Sequence, residues 1–326
     1  MDVKVNAPLS RVEDPGPSPT RGPRERPPRP SPHERARRRR RRRLIRLGLV
    51  VVAAAVIAGA VVAVASRSHT HTVATLPKVV KVVIPEGSTR LEIARIAAHD
   101  GLTGNYLDAS RSSPLLSPSS YGAPAGTPNL EGFLFPATYE IYAGDSVDRL
   151  VEDQLLAFSE KVGHSLDARA KALHLTPYEL LTLASLIERE AVIPGDRPKI
   201  AAVVLNRLAA GVPIGIDASI YFALQVARND PDVSGELTQS DLQIDSPYNT
   251  RTHKGLPPTP ISNPGIASLL AAAHPTHAAY MYYVAGADGC GEQKFSVTAA
   301  QFEADVAKYK AAVEANGGKP PVCRHP

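Results

Sequence analysis

The sequence predicts an α+β protein carried behind a single-pass membrane anchor, and three observations predict it. The run Leu47–Ser66 holds 20 residues without a charge and follows the arginines Arg37–Arg43. About 20 apolar residues at helical rise cross a hydrocarbon core. Beyond the run, segments with apolar residues three and four apart recur with recognisable caps, the pattern of amphipathic helices. Only a few short β-branched or aromatic runs lie between them, too few and too irregularly placed for an alternating α/β sheet.

Charge divides the chain in the same place. Residues 1–46 hold 15 Lys and Arg against 5 Asp and Glu, which leaves 22 of 37 basic and 27 of 32 acidic residues for the rest. The tail is strongly basic and the remainder mildly acidic, which argues against a nucleic-acid-binding domain. Residues 1–46 are rich in Pro and Arg and lack apolar periodicity, so they read as a disordered tail. Arginines before an uncharged span place the tail in the cytoplasm and everything after Arg67 outside. A cleaved signal peptide would have an apolar core of only about 7–15 residues, so residues 47–66 read as an uncleaved transmembrane helix. Residues 67–78, with His69 and His71, form a polar linker.

Residues 79–128 are expected to form a small α/β unit with a flexible loop. Val79–Ile84 reads as a strand, Pro85–Thr89 as a turn, and Leu91–Ala98 as a helix capped by Ser88. A strand, a Gly-Ser turn and a short helix resemble part of a glycan-binding LysM module. Gly104–Pro128 is a Ser/Pro/Gly stretch long enough to suggest mobility. Residues 129–316 then read as one mixed helix/strand domain. Leu130–Ile141 holds Phe133, Phe135 and Tyr139 and suits a core or a cleft wall. Ser146–Gly163 and Arg197–Leu208 read as amphipathic helices. Residues 211–262 are expected to be irregular and polar, a usual setting for ligand contacts. A helix over Gly265–Ala273, a strand over Tyr280–Ala285 and a last helix behind a Thr298–Gln301 capping box complete the domain. Residues 317–326 form a tail. Cys290 and Cys323 could close a disulfide that pins the tail if this region is extracytoplasmic, with two unpaired thiols as the alternative.

The helix over Leu180–Ala191 stands out. Thr176-Pro-Tyr-Glu179 gives a capping box with proline at the first helical position, and Pro194-Gly195 marks its stop. Two carboxylates, Glu188 and Glu190, sit near its end, and acids on an apolar helix are costly without a partner or a task. On a helical wheel both lie about 80° from the apolar direction, taking 100° per residue, so periodicity does not choose between them.

Phosphate-loop, dinucleotide, zinc-protease and serine-hydrolase motifs are all absent, and no Cys/His cluster suggests a metal. No cofactor is expected. Carboxylate chemistry remains, and a glutamic acid with a raised pKa can protonate a glycosidic oxygen and later act as base.

The segments Leu130-Glu-Gly-Phe-Leu-Phe-Pro136, Ala184-Ser-Leu-Ile-Glu-Arg-Glu190, Asn206-Arg-Leu208, Ser246-Pro-Tyr-Asn-Thr250, Gly255-Leu-Pro-Pro258, Ser262-Asn-Pro-Gly265 and Ala273-His-Pro275 together resemble the endolytic murein transglycosylase family, MltG or YceG-like. The resemblance runs over roughly residues 79–310. It implies a membrane-anchored enzyme that cuts the β-1,4 bond between N-acetylmuramic acid and N-acetylglucosamine inside peptidoglycan strands, leaves 1,6-anhydro ends, and accompanies cell-wall synthases. Matching the motif makes Glu190 the catalytic residue and Glu188 a second carboxylate beside it. Arg207, Asp217, Tyr248, Asn249 and His274 become candidate substrate contacts.

The chain departs from the family pattern at three positions: Gly215 stands for a glutamine, Gln293 for a histidine and Phe302 for a later histidine. A non-catalytic glycan-binding or scaffold protein of the synthesis machinery is the alternative those departures suggest.

Overall fold

The computed structural model describes residues 78–323 and, before them, only positions 48, 52 and 54–57. The basic tail, nearly all of the expected membrane span and the linker up to residue 77 lie outside the described residues. Among those described, no helix is long and apolar enough to cross a membrane.

Strand β1 (Val79–Val83) pairs antiparallel with β2 (Thr138–Tyr142), setting Val82 opposite Tyr139 and Val80 opposite Ile141. Val82, Tyr139 and Ile141 are buried while their neighbours are exposed, the period-two pattern of a one-sided sheet. Between the strands lie helices α1 (Arg90–His99) and α2 (Tyr106–Ala109). The cap of α1 is Thr89 rather than Ser88. Thr89 accepts from the Glu92 N–H while Glu92 reaches back to the Thr89 N–H, and Ser88 instead donates to the Pro85 carbonyl at 2.8 Å. The expected loop over 104–128 carries structure of its own. Buried Tyr106, Leu116 and Tyr121 anchor it, and Tyr121 packs 5.2 Å from Phe133 and 5.7 Å from Phe158. Aromatic anchors of this size hold a Pro/Ser-rich segment without long secondary structure.

Helix α3 (Val147–Lys161) buries Leu150, Val151, Leu155 and Phe158, the stripe expected of it. After a short α4 (Asp167–Ala172) comes α5 (Pro177–Glu190), with the Thr176–Glu179 capping box and Pro177 at its start. Every residue from Tyr178 to Ile187 except Glu179 is buried. Such a helix must be surrounded, and α5 packs on α4, on α6 (Arg197–Ala209), on α7 (Asp217–Arg228) and on α8 (Ile266–Ala273). Strands β3 (Tyr282–Ala285) and β4 (Gln293–Ser296) form an antiparallel hairpin, against which α9 (Ala299–Ala315) packs behind its Thr298–Gln301 capping box. A disulfide joins Cys290 in that hairpin to Cys323, with the Cα atoms 4.5 Å apart. The described residues form a mixed helix and strand fold with two small sheets.

Helix α7 corrects the irregular reading of 211–262. It buries Ala218, Ile220, Phe222, Ala223 and Leu224 and stops at Asn229, whose φ of 51° is left-handed. No side chain caps its start, so the usual N-terminal signal is missing from the sequence.

Candidate active site

The last turn of α5 projects into a cleft of about 530 Å³. Its walls come from the turn after β1 (Glu86, Gly87), the end of α5 (Glu188, Arg189, Glu190), the start of α7 (Asp217, Ala218, Tyr221) and the segment Val233–Gly235. Two of the predicted site residues other than Glu190, namely Glu188 and Asp217, therefore share its cleft.

Glu190 is half-buried. Tyr283 of β3 donates its hydroxyl to Oε2 at 2.9 Å, and the Ala218 N–H in the first turn of α7 donates to Oε1 at 3.4 Å. Burial raises the Glu190 pKa above the ordinary carboxylate value, these two donors act to lower it, Asp217 raises it and Arg251 lowers it. The balance is a carboxyl group more easily protonated than a free one, which is what a general acid requires. Tyr283, half-buried beside that carboxylate, has its own pKa pushed up by desolvation and by Glu190, so it stays a donor.

Glu188 has a different employment. Its Oε2 accepts the Gly265 N–H at 2.9 Å, at the N-cap of α8, and its Oε1 lies 3.6 Å from Arg197. A carboxylate at a helix N-terminus is a favourable structural arrangement. The two acids that the helical wheel left equivalent are thus separated by their partners.

The remaining predicted residues divide. Asp217 takes Arg251 Nε at 2.7 Å and stands at the first turn of α7. Arg207 gives its donors to the Pro213 and Met281 carbonyls, both at 2.9 Å, and stacks over Tyr282. It ties β3, and hence Tyr283, to the loop before α7. Asn249 is fully buried and donates to the Leu242 and Ile244 carbonyls. Tyr248 pairs with Thr259 at 3.1 Å and meets Phe222 edge-on, lining a separate groove with Glu131 and Asn229. His274, exposed at the end of α8, lines another depression beside Pro194 and Leu270. Arg207, Tyr248, Asn249 and His274 do not line the cleft of Glu190. Tyr283, Ala218, Tyr221 and Glu86 were not singled out in the sequence. The paired tyrosines of Tyr282-Tyr283 were the available signal for the first of them.

The three departures sit in supporting positions. A side chain at Gly215 would find Arg207 Nη2 at 3.8 Å, but φ there is 74°, a left-handed backbone that favours glycine over any L side chain. The Gln293 N–H is held by buried Asp196 at 2.7 Å, and Phe302 stacks 5.1 Å from Tyr282. Among the described residues no group of His, Cys, Asp and Glu is arranged to hold a metal ion.

Similarity to known proteins points the same way. The chain is 37% identical over 163 residues to an endolytic murein transglycosylase of Bacillus subtilis (strain 168), a match covering 49% of this chain and 43% of that protein. It is 35% identical over 156 residues to an endolytic murein transglycosylase of Streptococcus pneumoniae serotype 2 (strain D39 / NCTC 7466), covering 48% of this chain and 28% of that one. The chain thus matches less than half the length of these curated relatives. A crystal structure of a yceG-like protein from Listeria monocytogenes superposes with a TM-score of 0.59 at 30% identity, over 69% of this chain and 75% of that one. The sequence model of the YceG-like family matches residues 43–308, and with that extent the chain belongs to the YceG-like family.

Proposed function

We propose that this protein is a membrane-anchored endolytic lytic transglycosylase acting on peptidoglycan glycan strands. The observation that carries the reading is Glu190: a carboxyl group at the end of a buried helix, open to a cleft, with burial raising its pKa. Protonated Glu190 gives its proton to the oxygen of the β-1,4 bond between N-acetylmuramic acid and N-acetylglucosamine. The bond from muramoyl C1 to that oxygen breaks, and the carboxylate then takes the proton of the muramoyl C6 hydroxyl as that oxygen attacks C1. The product is a 1,6-anhydro end, no water is consumed, and Glu190 finishes protonated as it began. A hydrolase needs a second carboxylate to activate water or to act as nucleophile. Of the neighbouring carboxylates, Glu188 is engaged by Gly265 and Asp217 by Arg251, which takes those two out of the role of a second catalytic carboxylate.

The β1–α1–α2–β2 unit is read as a LysM-like module whose strands enclose its two helices. The uncharged run at 47–66 is read as the anchor, with residues 1–46 cytoplasmic and the cleft outside, where nascent strands and their synthases are found. Strand termination is the corresponding role. Incubating the protein with purified strands and analysing product ends by mass tests the activity. Anhydro ends that disappear in Glu190→Gln are expected. Reducing muramic ends would replace this reading with hydrolysis, and binding without any product would favour a scaffold.

A further inference from the structure

The carboxylates that line the cleft are unequal in one respect. Glu188, Glu190 and Asp217 each have a donor or a cation in contact: Gly265 and Arg197 for the first, Tyr283 and Ala218 for the second, Arg251 for the third. Glu86 lines the same cleft and is exposed, yet makes no hydrogen bond or ion pair among the described residues. Its side chain is nevertheless placed. The turn that carries it is locked to the body of the protein, because the Gly87 N–H donates to the Asn263 carbonyl at 2.8 Å and Arg189 donates to the Gly87 carbonyl at 3.1 Å. The carboxyl end then lies directly over Gly265, where a Cβ would come within 1.9 Å of Oε1. Glycine at 265 leaves the space that this carboxyl occupies. An acceptor held in place and left without donors is preorganised for a donor that arrives with a ligand.

We propose that Glu86 is a substrate-binding residue of the cleft, accepting a hydrogen bond from a hydroxyl or acetamido N–H of an N-acetylated sugar in the subsite beside the scissile bond. The inference rests on the glycan reading above. Its chemistry follows from the surroundings: Glu188 beside it repels a further negative charge, so a neutral donor fits and a substrate carboxylate does not. Partial burial and then the Glu188 charge push the Glu86 pKa up, against a lesser lowering by the Arg197 charge. The turn between β1 and α1 would then be part of the active cleft, and the β1–β2 unit would place the strand at the scissile point as well as hold it.

The probe is a preparation of uncross-linked strands of alternating N-acetylglucosamine and N-acetylmuramic acid. In a Glu190→Gln background, adding Glu86→Ala is expected to weaken binding about tenfold, the usual cost of losing a hydrogen bond to a charged group. In the otherwise native chain Glu86→Ala should raise KM by a similar factor and leave kcat within about twofold, with Glu86→Gln falling between because its amide oxygen still accepts. Unchanged binding and KM in a Glu86→Ala variant that melts like the native protein would overturn the proposal, as would a loss confined to kcat. Cleavage surviving in Glu190→Gln would sink the catalytic reading, while the binding comparison would still decide the role of Glu86.

Discussion

Among the described residues Glu86, Glu131 and Glu190 all have raised pKa values, and the last two make the instructive pair: Glu190 opens to the cleft at the end of α5, whereas Glu131 is buried at the base of the separate groove beside Tyr248. Glu131 is 4% exposed, and burial lifts its pKa to about 7. Both of its oxygens accept the Arg90 N–H at the start of α1, at 3.0 and 3.2 Å, and Asn263 Nδ2 donates to it at 2.7 Å. Asn263 also takes the Gly132 and Leu134 N–H groups on its own oxygen, so the node staples the β1–β2 unit to the loop before α8. Glu190 has two donors, a helix end and an open side. A perturbed pKa is therefore no mark of catalysis by itself. What distinguishes the proposed acid is access, and what distinguishes the structural one is that its two donor groups, the Arg90 N–H and the Asn263 amide, hold it in the interior.

The sharpest way to break this contrast is to remove each charge and read activity and stability separately. Glu190→Gln should cost at least about 10²–10⁴-fold in strand cleavage, the span of general acid catalysis, with no loss in melting temperature. A variant that cleaves normally would remove the distinction. Glu131→Gln should do the reverse, keeping kcat while altering how stability depends on pH. A carboxyl whose pKa rises from 4.5 unfolded to about 7 folded binds more protons in the native state between those values, so native stability falls as pH climbs from about 4.5 to 7. At 1.36 kcal/mol per unit the full swing is about 3 kcal/mol. Denaturant titrations across that window should show the slope in the native chain and lose most of it in Glu131→Gln; an identical slope in both would assign it elsewhere.

How much of this was legible in the sequence depends on whether a local signal existed. Helix α5 was, because Thr176, Pro177 and Glu179 announce its start and its apolar residues have nowhere to go but inside. Helix α9 was legible for the same reason, through Thr298 and Gln301. Helix α7 was not: Ile216 precedes it without a capping side chain, and Tyr221 and Phe222 interrupt the polar spacing expected of a surface helix. Missing α7 meant missing the Ala218 N–H and reading Asp217 as a loop residue. Tyr283 is 93 positions from Glu190, and the strand that carries it is held in place by Arg207 and Asn206, which donate to the Met281, Ala278 and Tyr280 carbonyls. Arg207, Tyr248 and Asn249 were flagged by their motifs, but each spends its polar atoms on scaffold. A motif marks where family members agree, and agreement is as easily imposed by a loop's backbone hydrogen bonds as by a substrate.

The smaller predictions concern the two influences that act on Glu190 in opposite directions. Tyr283→Phe removes a donor to the charged form, so the Glu190 pKa should rise further and the alkaline limb of the activity profile should move to higher pH. Loss of one oriented hydrogen bond should lower kcat about tenfold at neutral pH, since the carboxyl is less well held. Asp217→Asn removes the negative charge that raises the Glu190 pKa and frees Arg251, which lowers it, so the same limb should move to lower pH. Because Asp217 is well exposed and its charge screened, the displacement should be the smaller of the two and should shrink as salt is added. Opposite displacements from the two variants would place the titrating group between Tyr283 and Asp217, where Glu190 stands. Displacements of the same sign would mean that a different group governs the limb.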